Sequence, residues 1–174
     1  MSIISIACGG NNKPTNLKLV NYVGNDPKRF KELMEVFLGA DLQLTQITSW
    51  AISECTEVYP HLIAPYHSQL MDSLNKDQRH GAIRRNIVRI YQYADIPEDI
   101  EGQLFNLCIN FIIDPTEAIA VKAFSMTVCE RIAVKYPDLI PELKICIESQ
   151  LDNASAGVKN RGQKILHRFE KSGY

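Results

Sequence analysis

The sequence is short of most features that announce a chemistry. No stretch approaches the roughly 18 consecutive apolar residues of a membrane-crossing helix, so no membrane span is expected. It has no C-x-x-C pair, no phosphate loop, no G-x-G-x-x-G after a strand and no G-x-S-x-G, the usual signs of zinc, nucleotide and serine-hydrolase chemistry. His61, His67, His80 and His167 are scattered, none with a second His or Cys at ligand spacing, so neither a metal nor a cofactor is expected. Glu98 and Asp99 stand at a helix opening, where the dipole favours negative charge without any catalytic role. A charge excess is missing too: 19 bases against 20 acids leave a net −1. That balance argues against both a generally basic nucleic-acid binder and an acidic solvating chain.

Cysteine is present but unpaired in pattern. Of five, Cys55, Cys108, Cys129 and Cys146 lie in apolar stretches, leaving Cys8 near the start. Such thiols pack as small hydrophobes, and a chain of them without a disulfide framework suits a reducing cytoplasm. The opening Met1-Ser-Ile-Ile-Ser-Ile-Ala-Cys8-Gly-Gly has too short an apolar stretch and no basic residue for a secretion signal. Residues 1–12 are therefore expected as a flexible leader, before a single domain over 13–174.

What is there is a repeat. With 174 residues, 45% of them hydrophobic, the chain fits one domain or a short array. Val58-Tyr59-Pro60, Asp95-Ile96-Pro97 and Lys135-Tyr136-Pro137 place their prolines 37 and 40 residues apart. Independently, Ile83-Arg84, Val121-Lys122 and Val158-Lys159 recur at 38 and 37 residues, with Leu44-Thr45 lying 39 before the first. Asp41, Asp77, Asp114 and Asp152 precede these pairs. Two signals sharing one period point to repeated units.

Each unit reads as two helices. The first carries apolar residues at helical spacing, as in Leu62, Ile63, Tyr66, Leu70, Met71 and Leu74. A proline suits its first turn. The recurrent Asp can accept from the N–H groups that open the second helix. That helix then carries an apolar stripe: Val121, Ser125, Val128, Cys129 and Ile132 in the third unit, and Val158, Gly162, Ile165, Leu166 and Phe169 in the fourth. Thr48, Ile87, Ser125 and Gly162, four positions after each aliphatic residue, fall where helices would approach closely. No alternating strand run appears. The fold class is all-α.

A unit of this length, with a Leu-x-Pro-x-Leu opening, a turn Asp and a following Val-Arg or Val-Lys, resembles the HEAT repeat. Pro137-Asp-Leu-Ile-Pro-Glu-Leu143 and Ala120-Val-Lys-Ala123 match best. The resemblance spans four units, 26–58, 61–95, 97–135 and 137–171, with residues 13–24 as an N-terminal capping segment. It departs at Arg79-His80-Gly81 and at Ile100-Glu-Gly-Gln, which would interrupt a helix. It implies a right-handed α-α superhelix, a HEAT-like solenoid whose second helices line a concave binding face.

If each aliphatic residue points to the core, positions two, three and six after it face outward. They are Gln46, Ile47 and Trp50; Arg85, Asn86 and Arg89; Ala123, Phe124 and Thr127; and Asn160, Arg161 and Lys164. From these, Trp50, Arg85, Asn86, Arg89, Phe124, Arg161 and Lys164 form the expected binding stripe. Arg84 and Lys122 are expected to contact turn aspartates. The function this implies is a non-enzymatic scaffold binding a protein or peptide. Some bacterial DNA glycosylases for alkylated bases are similar solenoids, which makes a DNA-binding or repair protein the alternative. No concave catalytic Asp can be assigned for it, since Asp95 and Asp114 read as turn residues.

Overall fold

A computed structural model describes residues 2–75 and 81–174. Asp77, Arg79 and His80, which figured in the repeat reading, lie outside the described residues. Among those described, no strand occurs. The helices gather into two compact units, Met1–Asp95 and Ile96–Tyr174, each built of helical hairpins.

The first unit opens with α1 (Ile3–Ala7) and α2 (Lys13–Val23). The leader expected over residues 1–12 is in part a docked helix. Ser2 and Ser5 form a reciprocal capping box, Ile3 N donates to Glu32 Oε1 at 2.9 Å, and Ile3, Ile6 and Ala7 are buried. Gly10 then turns the chain with φ +82°, a conformation that favours glycine.

The first full hairpin is α3 (Pro27–Phe37) and α4 (Leu42–Val58). Asp26 accepts from Lys28 N and Arg29 N, and Pro27 takes the first turn. Phe30, Leu33, Met34 and Phe37 form the i, i+3, i+4, i+7 stripe that buries one face. Asp41 caps α4 as expected, accepting from Gln43 N and Leu44 N. The register then departs by one residue: Leu44 is half-buried while Thr45 is fully buried. Thr45 Oγ1 donates to Phe37 O at 3.0 Å, tying the new helix to the end of the last.

The second hairpin starts in a 3₁₀ segment, Pro60–Tyr66, before α5 (His67–Leu74) and α6 (Gly81–Ile90). Pro65 sits inside that segment. Without an N–H, and with its ring against the preceding turn, it disfavours a continuous α-helix. Leu62, Ile63, Leu70, Met71 and Leu74 are nevertheless buried, and half-buried Tyr66 meets the Phe30 ring edge-on at 5.8 Å. The helices α2, α4 and α6 pack in series, α4 lying between the other two.

The second unit repeats the plan with α7 (Glu98–Ile113), α8 (Ile119–Lys135), a short 3₁₀ turn Pro137–Leu139, α9 (Ile140–Leu151) and α10 (Ala156–Lys171). The expected interruption at Ile100-Glu-Gly-Gln is absent. Helix α7 runs straight through Gly102, because a single helical glycine costs only about 1 kcal/mol and Ile100, Leu104 and Phe105 anchor its inner face.

The turn aspartates behave differently here. Asp114 ends α7 and accepts from Thr116 N and Oγ1, while Glu117 Oε1 takes the N–H of Ala118. Asp152 ends α9, and Ser155 caps α10 instead. The Lys122 amine reaches Gln150 Oε1 at 3.2 Å rather than an aspartate. Val121, Ser125, Val128, Cys129 and Ile132 are all buried, as are Val158, Gly162, Ile165 and Phe169; Leu166 is half-buried. Thr48, Ile87, Ser125 and Gly162 do mark buried helix contacts.

Candidate binding faces on the second helices

The second helices pack side by side within each unit, α4 on α6 and α8 on α10. Polar side chains cross these contacts at regular heights. In the first unit Asn16 Nδ2 on α2 donates to Glu54 Oε2 on α4 at 2.8 Å. Ser53 Oγ donates to Asn86 Oδ1 at 3.0 Å, and one turn further Arg89 approaches Glu57 Oε2 at 3.7 Å. In the second unit Arg161 donates to Thr127 Oγ1. One to two turns on, Arg168 holds Glu130 with two bonds, 2.5 and 2.7 Å. Such forked pairs add direction as well as attraction.

This arrangement sorts the expected stripe by position. Position two is open: Gln46, Arg85 and Asn160 are exposed and Ala123 is half-buried. Position six is half open, with Trp50, Arg89 and Thr127 half-buried and Lys164 exposed. Position three turns sideways. Ile47 and Asn86 are buried, and Phe124 and Arg161 are half-buried.

The expectation that Asn86 faces outward is therefore corrected. Its amide also donates to Ala82 O at 2.8 Å, so both ends of the side chain are engaged inside the helix contact. The reason is angular. At about 100° per residue, position three sits only about 60° from the core direction. A second helix packed against that flank, as α4 packs on α6, covers that angle. Position two, near 200°, stays clear.

Three acids on these faces escaped the sequence reading: Glu54, Glu57 and Glu130. They follow the same helical stripe one to two turns beyond position six, so extending the count along each helix would have found them. The charge on each face is consequently mixed. Arg89 and Arg168 have carboxylate partners, whereas Arg85 and Lys164 are exposed. Glu130 raises the Arg168 guanidinium above its ordinary value by accepting its hydrogen bonds.

The second unit also has an open cavity of about 590 Å³ between its two hairpin turns, lined in part by Ile113, Ile119, Lys122, Gln150 and Val158. Nothing in the stripe reading pointed to it, because it is formed by turns rather than helix faces. Among the described residues no group of three His, Cys, Asp or Glu side chains could hold a metal ion. Nor is any described helix long and apolar enough to cross a membrane.

Paired helices packed in series, with one apolar stripe each and a shared period, are the pattern of a helical repeat. Residues 11–169 match the family model of the HEAT repeat domain. The chain belongs to the HEAT repeat family. The match reaches back beyond the four full hairpins to include α2, which packs on α4. Neither the curated proteins nor the solved structures contain a match.

Proposed function

We propose that this HEAT repeat protein is a non-enzymatic scaffold that binds a protein or peptide along its second-helix faces. Trp50, Arg85 and Arg89 would provide the contacts in the first unit, and Phe124, Arg161 and Lys164 those in the second. The supporting observation is the mixed character of those faces. Arg89 and Arg168, paired with Glu57 and Glu130, stand beside open Arg85 and Lys164 and half-buried Trp50 and Phe124. Aromatic and Arg anchors among balanced charge suit a protein surface. The same glutamates offset part of the basic charge on these faces, which favours a protein partner over a phosphate backbone. The buried, unbridged thiols Cys55, Cys108, Cys129 and Cys146 fit a cytoplasmic setting.

The test is stoichiometric capture of a partner from native lysate by the wild type and by a Trp50→Ala/Arg85→Glu variant, with DNA-column retention measured alongside. A partner held by the wild type and lost by the variant supports the scaffold reading. Salt-sensitive DNA retention that depends on Arg85, Arg89, Arg161 and Lys164 defeats it.

A further inference from the structure

A second surface lies in the first unit, away from the α4–α6 face. Between α1, the C-terminal half of α3 and the α3–α4 turn runs a groove of about 370 Å³, whose lining includes Ile4, Val36 and Leu44 with the carboxylates of Glu32, Glu35 and Asp41. No Lys or Arg lines it. Its apolar part is open to water: Ile4 is 53% exposed, and Val36 and Leu44 are half-buried.

The groove follows from the shortness of α1. Helix α2 packs on α4 much as α4 packs on α6, but its partner α1 has five residues where α3, α7 and α9 have 11, 16 and 12. So short a helix covers the flank of α3 only in part. The uncovered strip is apolar and rimmed by acids.

We infer that this groove docks a cationic amphipathic helix of a partner protein. Apolar side chains at i, i+3, i+4 and i+7 would cover Ile4, Val36 and Leu44, as helices do in apolar grooves. Lysines or arginines beside them would meet Glu32, Glu35 and Asp41. These carboxylates have acceptor capacity left beyond the contacts they already make. Glu32 accepts one backbone N–H from Ile3, Asp41 caps α4, and Glu35 has an exposed contact with Lys31 at 3.8 Å, which is worth little in water.

The probe is a synthetic Leu/Lys helix with leucines at that spacing, set against its Leu/Glu counterpart and a scrambled Leu/Lys peptide of equal composition. Binding of each to the full chain is measured by fluorescence anisotropy at low and moderate salt. The Leu/Lys helix should bind at least about tenfold more tightly than either control, with affinity falling as salt rises. Ile4→Asp and Glu35→Lys should each weaken it by about tenfold. Both residues are exposed, so unchanged melting of the variants confirms that the loss is at the surface. Equal binding of the three peptides, or indifference to both substitutions, overturns the inference. So does a dimer in sedimentation that Ile4→Asp abolishes, since a second copy would then be the occupant.

Discussion

Ser53 on α4 donates a 3.0 Å hydrogen bond to Asn86 on α6 within a contact closed to solvent. This bond converts an expected ligand-binding residue into part of the packing between second helices. It also separates neighbours in sequence: Arg85 is exposed, while Asn86 is 3% exposed.

Asn86→Ala should destabilise the chain by about 1–3 kcal/mol, because Ser53 loses its partner and keeps only a 3.4 Å contact with Ser49 O. Arg85→Ala should change stability by no more than about 0.5 kcal/mol. Urea denaturation of the two variants checks the order. Equal effects would mean that the two positions share one environment.

Two helical glycines should respond in opposite directions to alanine. A Cβ on Gly162 would lie 2.8 Å from Ile147 Cγ2 and 3.0 Å from Leu151 Cδ2, and the β-branched Ile147 has little freedom to yield. Gly162→Ala should therefore cost about 1–3 kcal/mol from overpacking, outweighing its gain in helix propensity. Nothing lies within 4 Å of a Cβ on Gly102, so Gly102→Ala should stabilise α7 by about 0.5–1 kcal/mol. Melting temperatures of the two variants should move to opposite sides of the wild type.

Acid should loosen the second unit through Glu101. Burial pushes this carboxyl upward, but hydrogen bonds from the Tyr136 hydroxyl at 2.7 Å and Lys135 Nζ at 3.0 Å outweigh it. The net result holds Glu101 below its ordinary value of 4.5. A lowered folded-state value means that the ionised carboxylate contributes stability above pH 4.5, which disappears as pH falls through the folded value. Denaturation midpoints measured from pH 6 to pH 3 should decline, and Glu101→Gln should flatten that decline. An unchanged slope in the variant would assign acid sensitivity elsewhere.

Thiol labelling should divide the five cysteines one against four. Cys8 is exposed, and the other four are buried. Burial pushes the Cys55 thiol up to about 12 and Cys146 to about 11, leaving almost no reactive thiolate at neutral pH. A chromogenic disulfide reagent should titrate one group rapidly in buffer and all five in denaturant. Rapid reaction of two or more in buffer would contradict the burial.

The hairpin boundaries were legible because several local signals agree. Pro60 and Pro137 stand at the openings of hairpins, Asp41 caps where its spacing placed it, and the third and fourth apolar stripes are buried almost residue for residue. Less legible were the sites where a side chain had a choice of partner. Asp114 has the repeat spacing but its side chain serves its turn, accepting from Thr116, and α8 opens without a side-chain cap; α10 is capped by Ser155, three residues past Asp152. Thr45 displaced Leu44 from the core because its hydroxyl finds Phe37 O, a partner that hydrophobic periodicity does not register.

The sequence by itself determined the helices, their pairing and the repeat, since proline, capping residues and apolar spacing act over a few residues or one helical turn. Only the tertiary structure decided how much of each second helix remains open. A single helix shows the direction of its strongest burial, but not whether one or two neighbours lie against its flanks. The packing of α4 on α6 removed Asn86 from the expected stripe and left Arg85 on it. The same dependence on neighbours docked Ile3 in the core and left Ile4, one residue away, beside an acidic groove.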